Sequence, residues 1–99
     1  MILRDLEKVR VMLKEATELD IAYAYDDLVF PDHTAFIIQF DDDNENNYFC
    51  YFHEDCLPDS EREIMNDLSQ TFKKHRSTLV SKGLFNLNQK GEEVEIKFL

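Results

Sequence analysis

Residues 34–54 read TAFIIQFDDDNENNYFCYFHE, and they hold the strongest indication of the fold. Two runs rich in aromatic and β-branched residues flank a loop made almost wholly of acids and amides. Such runs predict two adjacent antiparallel strands, at about 34–41 and 47–54. We expect residues 42–46 to form the loop between them, so that residue 41 lies opposite residue 47.

This pairing divides the side chains of the two strands into two sets, because successive residues point to opposite faces of a sheet. One set is wholly apolar: Phe36, Ile38, Phe40, Tyr48, Cys50 and Phe52. The other set is mixed: Ala35, Ile37, Gln39, Phe49, Tyr51 and His53. A sheet with one face in water should alternate more cleanly. Ile37, Phe49 and Tyr51 therefore need a cover, which is either the segment 21–30 or the first helix, or else a partner or second copy.

The flanking residues predict the remaining elements. Apolar residues at helical spacing predict a first helix at about 2–20. Residues 20–30 are open between a strand ending at Phe30 and an extension of that helix, and we favour the strand. Ser60 and Glu63 match a capping box that begins a second helix, and Gly83 has the position of the left-handed residue that ends it.

The second helix should bury an apolar stripe of Ile64, Leu68, Phe72 and Leu79. A closing hairpin across Lys90-Gly91 follows. In that hairpin we expect Leu87 opposite Val94 and Phe85 opposite Ile96, with the polar residues on the outer face.

The predicted fold is a single α+β domain over residues 1–99, with a mostly antiparallel sheet packed against two helices. The predicted order is α-β-β-β-α-β-β. In element order alone, this resembles the type III secretion chaperones, without the further C-terminal helix that they carry. The resemblance rests on topology rather than on a motif, and it implies a small acidic dimer that binds another protein.

The charge is unevenly distributed along the chain. The formal net charge is −10, and residues 20–67 hold one basic and fourteen acidic side chains. Binding to a phosphate backbone needs Lys and Arg, so we expect no nucleic acid partner. The same balance repels anionic lipid and attracts a basic protein.

The N-terminal segment predicts the location of the protein. Charges recur every two or three residues in MILRDLEKVRVML, so it lacks the apolar core of a signal peptide. No run approaches the roughly 18 apolar residues of a membrane span. We therefore expect a cytoplasmic protein that does not bind membranes, with Cys50 and Cys56 as reduced thiols.

No motif predicts a metal site or a cofactor. Cys50, His53 and Cys56 have ligand chemistry, but Cys50 and His53 should point to opposite faces of their strand. The loop from Asp41 to Asn47 resembles the start of a calcium loop, but Asn46 stands where Gly is needed and Phe52 where Glu is needed. Weak cation binding by this loop remains open.

The sequence favours a non-catalytic protein-binding module over an enzyme, since it contains no nucleophile motif or phosphate loop. Such a module is an adaptor, a chaperone or an inhibitor of the immunity type, bound to a basic partner or to itself. The residues predicted to contact the partner are Ile37, Phe49, Tyr51, Asp41, Asp42, Asp43 and Glu45. The alternative is a small metal- or ligand-binding protein, which could be enzymatic, centred on residues 41–56.

Overall fold

Two helices pack on one face of a six-stranded sheet in the computed structural model, which describes residues 5–32 and 35–99. The elements are α1 (Leu6–Thr17), β1 (Ile21–Tyr25), β2 (Leu28–Pro31), β3 (Phe36–Phe40), β4 (Asn47–His53), α2 (Pro58–Lys74), β5 (Thr78–Lys90) and β6 (Glu93–Phe98). The strands lie side by side in chain order, and only β4 and β5 run parallel. The α+β class and the mostly antiparallel sheet are confirmed. The order gains one strand and becomes α-β-β-β-β-α-β-β.

The pairing of β3 with β4 is the predicted one. Phe36 lies opposite Phe52 and Phe40 lies opposite Tyr48, with three further pairs between them. The wholly apolar set of side chains therefore shares one face, and the helices cover that face. The predicted strand start at residue 34 lies outside the described residues.

The segment 20–30 forms a hairpin of two strands rather than one strand or a helix extension. Tyr25 pairs with Leu28, so the turn is Asp26-Asp27. Asp26 has a φ of 54°, in the left-handed region that Asp tolerates better than most residues. The prediction missed this turn because it contains neither Gly nor Asn.

Helix α1 is shorter than predicted. Asp5 is its N-cap, and the Asp5 carboxylate accepts a hydrogen bond from the Lys8 N–H at 3.0 Å. The helix ends at Thr17 because Glu18 takes a left-handed conformation, and the Glu18 N–H donates to the Lys14 carbonyl. The predicted start at residues 2–4 lies outside the described residues.

The predicted capping box of α2 is wrong. The N-cap is Leu57, which makes no side-chain cap bond, and Pro58 occupies the start of the helix. Proline fits this position because the first helical N–H has no partner within the helix. Ser60 and Glu63 therefore lie inside α2.

The predicted end of α2 at Gly83 is also wrong. The helix ends at Lys74, and Arg76 takes the left-handed conformation with a φ of 61°. The next residues enter β5, so Leu79 packs on the core from a strand rather than from the helix. Gly83 lies within β5.

The closing hairpin exists, but its turn is Gly91-Glu92, because Lys90 pairs with Glu93. Leu87 therefore lies opposite Ile96, and Phe85 lies opposite Phe98. The shift is two residues, so the cross-strand partners change but the apolar side chains of the hairpin still share one face, as predicted.

The main core lies between the helices and the sheet. Its buried side chains include Val9, Met12 and Leu13 of α1, Leu68 and Phe72 of α2, and the apolar set of β3 and β4. The Phe72 ring meets the Tyr48 ring edge-on, with centroids 5.3 Å apart. Across the described residues, every buried side-chain nitrogen and oxygen has a hydrogen-bond partner. Neither described helix is long and apolar enough to cross a membrane.

We expect Phe72→Ala to lower the free energy of unfolding by about 3–5 kcal/mol, since it leaves a cavity between α2 and the sheet. Equilibrium unfolding in urea, followed by circular dichroism, measures this change. Val11→Ala is the control on the exposed side of α1, and it should change the free energy by less than about 0.5 kcal/mol. Equal effects of the two variants would contradict the packing described.

Candidate functional site

The face of the sheet turned away from the helices is mostly apolar. We call it the concave face, and the register assigns to it Tyr23, Tyr25, Leu28, Phe30, Ile37, Gln39, Phe49, Tyr51, His53, Val80, Phe85, Leu87, Gln89, Val94, Ile96 and Phe98. The Lys82 side chain also lies on this face, over the Phe49 ring. No helix of the described residues covers it, since both helices pack on the opposite face.

Two observations show that the sheet is curled. The Tyr51 and Phe98 rings lie 4.4 Å apart between centroids, although β5 separates their strands. A cavity of about 280 Å³ is lined both by Tyr23 of β1 and by Leu87 and Val94 of the closing hairpin. The two edges of the sheet therefore bend toward each other over β3 and β4.

This curl covers Ile37. Its side chain is 1% exposed and packs with Leu28 and Phe85, which are also buried. The cover is intramolecular, as one of the two alternatives predicted, but it comes from β2 and the closing hairpin together rather than from the segment 21–30 alone or the first helix. Ile37 forms the floor of the concave face.

A β-bulge in β5 brings the closing hairpin to this face. Cys50 pairs with Ser81 but Tyr51 pairs with Gly83, so Lys82 is an extra residue. Before the bulge Leu79 points to the helices, and after it Phe85 points away from them. An extra residue reverses the direction of every side chain that follows. The prediction gave the hairpin's apolar side chains to the face of the main core, and this is wrong.

Phe49 and Tyr51 are half-buried on the concave face. The Lys82 ammonium lies over the Phe49 ring, 4.6 Å from its centroid, in a cation–π contact. The Tyr51 hydroxyl donates to the Gln39 Oε1 at 3.1 Å, and the Gln39 Nε2 donates to the Asp27 carboxylate at 2.8 Å. Burial, together with the Asp27 charge, raises the pKa of Tyr51. This chain of hydrogen bonds joins the centre of the concave face to the turn Asp26-Asp27.

The acidic end consists of the turn Asp26-Asp27 and the four acids of the β3–β4 loop: Asp41, Asp42, Asp43 and Glu45. The two segments are adjacent, because the Phe40 N–H donates to the Asp27 carbonyl at 2.8 Å. The predicted partner-binding acids therefore lie at one end of the concave face. Asp42, Asp43 and Glu45 are exposed.

Asp41 holds the loop together. Its carboxylate accepts hydrogen bonds from the Asn47 side chain at 2.8 Å and the Asp43 N–H at 2.9 Å. These two bonds lower the pKa of Asp41, because they favour the charged form. Both of these bonds to the Asp41 carboxylate therefore lie within the loop and stabilise its conformation.

The Cys and His residues of the 50–56 segment are separated. Cys50 is fully buried in the main core, where burial raises the pKa of its thiol. His53 lies on the concave face with its ring edge-on to Phe85, 5.3 Å between centroids. The predicted opposite directions of Cys50 and His53 are confirmed. Within residues 5–32 and 35–99, no three His, Cys, Asp or Glu side chains are arranged to hold a metal ion.

A second opening lies between the helices. It has a volume of about 670 Å³, and its lining includes apolar Ala16, Leu19 and Ile64 as well as acidic Glu63 and Asp67. Its position could not be predicted from the sequence, because the two helices that form it are not close in the sequence. Most exposed residues of the concave face were not predicted either, because they come from strands that are distant in the sequence. The alternation of Val94, Ile96 and Phe98 could have indicated part of this face.

Comparisons with protein-family models, with curated proteins and with solved structures find no match to this chain.

Gly83→Ala should lower the free energy of unfolding by about 1–3 kcal/mol, since Gly83 has a φ of 152°, which side chains other than that of glycine rarely adopt. Urea unfolding measures the loss. Ser81→Ala, two residues earlier in the same strand and exposed, is the control and should stay within about 0.5 kcal/mol. A wild-type stability of Gly83→Ala would contradict the backbone described at the bulge.

An aromatic disulfide reagent should modify Cys56 but not Cys50 in the folded protein. Burial raises the pKa of both thiols, so access decides: Cys56 is half-buried, whereas Cys50 is inside the core and out of reach of the reagent. Absorbance of the released thiolate follows the reaction. Cys56→Ser should show no reaction until a denaturant unfolds the chain, and rapid labelling of that folded variant would refute the placement of Cys50.

Proposed function

We propose that this protein is a non-catalytic protein-binding module that binds a basic partner on its concave face and acidic end. The observation that supports this most is the mostly apolar concave face, which no described helix covers and which lies beside a concentration of acids. The class includes adaptors, chaperones and inhibitors of basic proteins. A cytoplasmic location and the absence of nucleic acid and membrane partners are kept as predictions from the sequence.

The first support is the apolar surface that remains exposed on the concave face. Tyr23, Tyr25, Val80, Val94 and Phe98 are each between 41% and 69% exposed. Together they present a few hundred Å² of apolar surface, a patch size that commonly marks a binding site on a soluble protein. Tyrosine and phenylalanine suit such a site, because they supply large contact area at low cost in conformational entropy.

The second support is the charge beside that surface. Six carboxyl groups lie at the acidic end, in a chain whose formal net charge is −10. A field of this sign accelerates encounter with a basic protein and suppresses encounter with nucleic acid. Apolar contact then supplies affinity, while charge selects the partner. Ile37 lies beneath the surface, so we expect Phe49 and Tyr51 to contact the partner directly.

The test is a selection of random peptides displayed on phage against the wild-type protein. The selected peptides should combine Lys or Arg with apolar residues. Their synthetic versions, measured by fluorescence anisotropy, should bind Val80→Gln and Tyr23→Gln at least about tenfold more weakly than wild type, because both variants place an amide on the concave face. Raised salt should also weaken binding.

The matched control is Val11→Gln, since Val11 is 44% exposed on α1 and Val80 is 41% exposed on the concave face. This control should bind the peptides like wild type. The proposal fails if the selected peptides show no excess of basic residues, or if Val11→Gln weakens binding as much as Val80→Gln.

A further inference from the structure

Among the strands that the structure describes, β6 is an edge of the sheet and pairs only with β5. The Leu99 N–H donates to the Leu84 carbonyl at 2.9 Å, so this pair is hydrogen-bonded. Hydrogen-bonded and non-bonded pairs alternate along an antiparallel ladder. The N–H and C=O groups of Glu93, Glu95 and Lys97 therefore point toward β5, and those of Val94, Ile96 and Phe98 point outward.

The other edge of the sheet, β1, has fewer backbone groups that point outward in a regular ladder. In β1, the pairs Tyr25–Leu28 and Tyr23–Phe30 flank the pair Ala24–Val29. A two-residue turn closes on a hydrogen-bonded pair, so the alternation leaves only Ala24 of these three residues with its backbone groups outward. The pairing is also irregular between Ile21 and Tyr23. A strand added to this sheet finds a longer regular edge at β6.

The side chains of β6 are arranged symmetrically about Ile96. Val94 and Phe98 lie two residues on either side of it on the concave face, and they are 58% and 42% exposed. Glu95 and Lys97 lie one residue on either side of it and point to the other face. If the strand is reversed about Ile96, Val94 takes the place of Phe98 and Glu95 takes the place of Lys97. Two antiparallel copies of β6 therefore set apolar residues opposite apolar ones and an acid opposite a base.

We propose that a second copy of this chain adds to this edge, with the two β6 strands antiparallel and Ile96 opposite Ile96 of the second copy. In this register Val94 lies opposite Phe98 of the second copy, and Glu95 lies opposite Lys97 of the second copy. The Val94–Phe98 and Glu95–Lys97 contacts each occur twice, because the pairing has twofold symmetry. The outward backbone groups pair, and the concave faces of the two copies join.

Charge complementarity in this register favours a second copy as the occupant. Two opposite-charge pairs lie directly across the new strand boundary, where such pairs are stabilising. Glu95 also makes an exposed ion pair with Lys90 at 2.6 Å, a contact across β5 and β6 that does not use the outer edge. The net charge of −10 on each copy opposes association, so the dimer should be measured at physiological ionic strength.

Sedimentation equilibrium of the full chain tests the proposal with charge reversals. Glu95→Lys and Lys97→Glu should each weaken the homodimer about tenfold, because each places like charges opposite each other twice. An equimolar mixture of these two variants should associate like wild type, since both cross-strand pairs become complementary again. The double variant Glu95→Lys/Lys97→Glu should also recover the dimer.

The Glu95→Lys variant separates local pairing from overall charge. It reduces the negative charge of the chain, so overall repulsion alone predicts tighter association, whereas the proposed register predicts weaker association. Val94→Pro removes an outward N–H and should abolish the dimer, while Val94→Ala keeps that N–H and should retain most of it. Circular dichroism checks that each variant is folded.

A wild-type protein that stays monomeric, or a mixture of the two single variants that associates no better than either alone, overturns the proposal. So does equal weakening by Val94→Pro and Val94→Ala. These outcomes leave the binding of basic peptides untouched, because that binding is tested at Val80 and Tyr23, which lie outside the proposed strand contact.

Discussion

The register between β3 and β4 is the constraint on which the rest of the structure depends. It sets Phe36 beside Phe52 and Phe40 beside Tyr48 on one side, and this gives the helices an aromatic surface to cover. The same register sets Ile37 beside Tyr51 on the other side. An isoleucine there must be covered, and the sheet provides that cover by bending rather than by adding a layer.

The sequence predicted the features that depend on residues close together in the chain. It did not predict the features that depend on contacts between distant residues. The alternation in residues 34–54 was enough for the β3–β4 register and for the opposite directions of Cys50 and His53. The turn at Asp26 and the left-handed stop of α2 at Arg76 have no distinctive residue pattern. Pro58 did indicate the start of α2, because proline is typical of the first helical position, but the prediction used Ser60 and Glu63 instead. The bulge at Lys82 is set by the pairing of β5 with β4, which local composition does not show. These misses explain why only part of the concave face was predicted.

The two proposed interfaces use mostly different parts of the sheet. One uses the side chains of the concave face and the charge at its acidic end, and the other uses the backbone of an edge strand. They share Val94 and Phe98, whose exposed side chains would lie at the boundary between the two copies. A dimer of this kind would present two acidic ends, so a partner with two basic segments would gain from binding both.

The parallel pairing of β4 with β5 has a kinetic consequence. Strands β1 to β4 are joined by short connections, so their pairings bring together residues that are close in the sequence. Strand β5 must instead find β4 after the chain has passed through α2, and closing a longer connection costs more entropy before any contact repays it. We therefore expect the β1–β4 meander to form early; until β5 docks it lacks Phe85, so Ile37 is covered only by residues of the meander such as Leu28. Docking of the bulged strand adds Leu79 to the main core and Phe85 to the concave face.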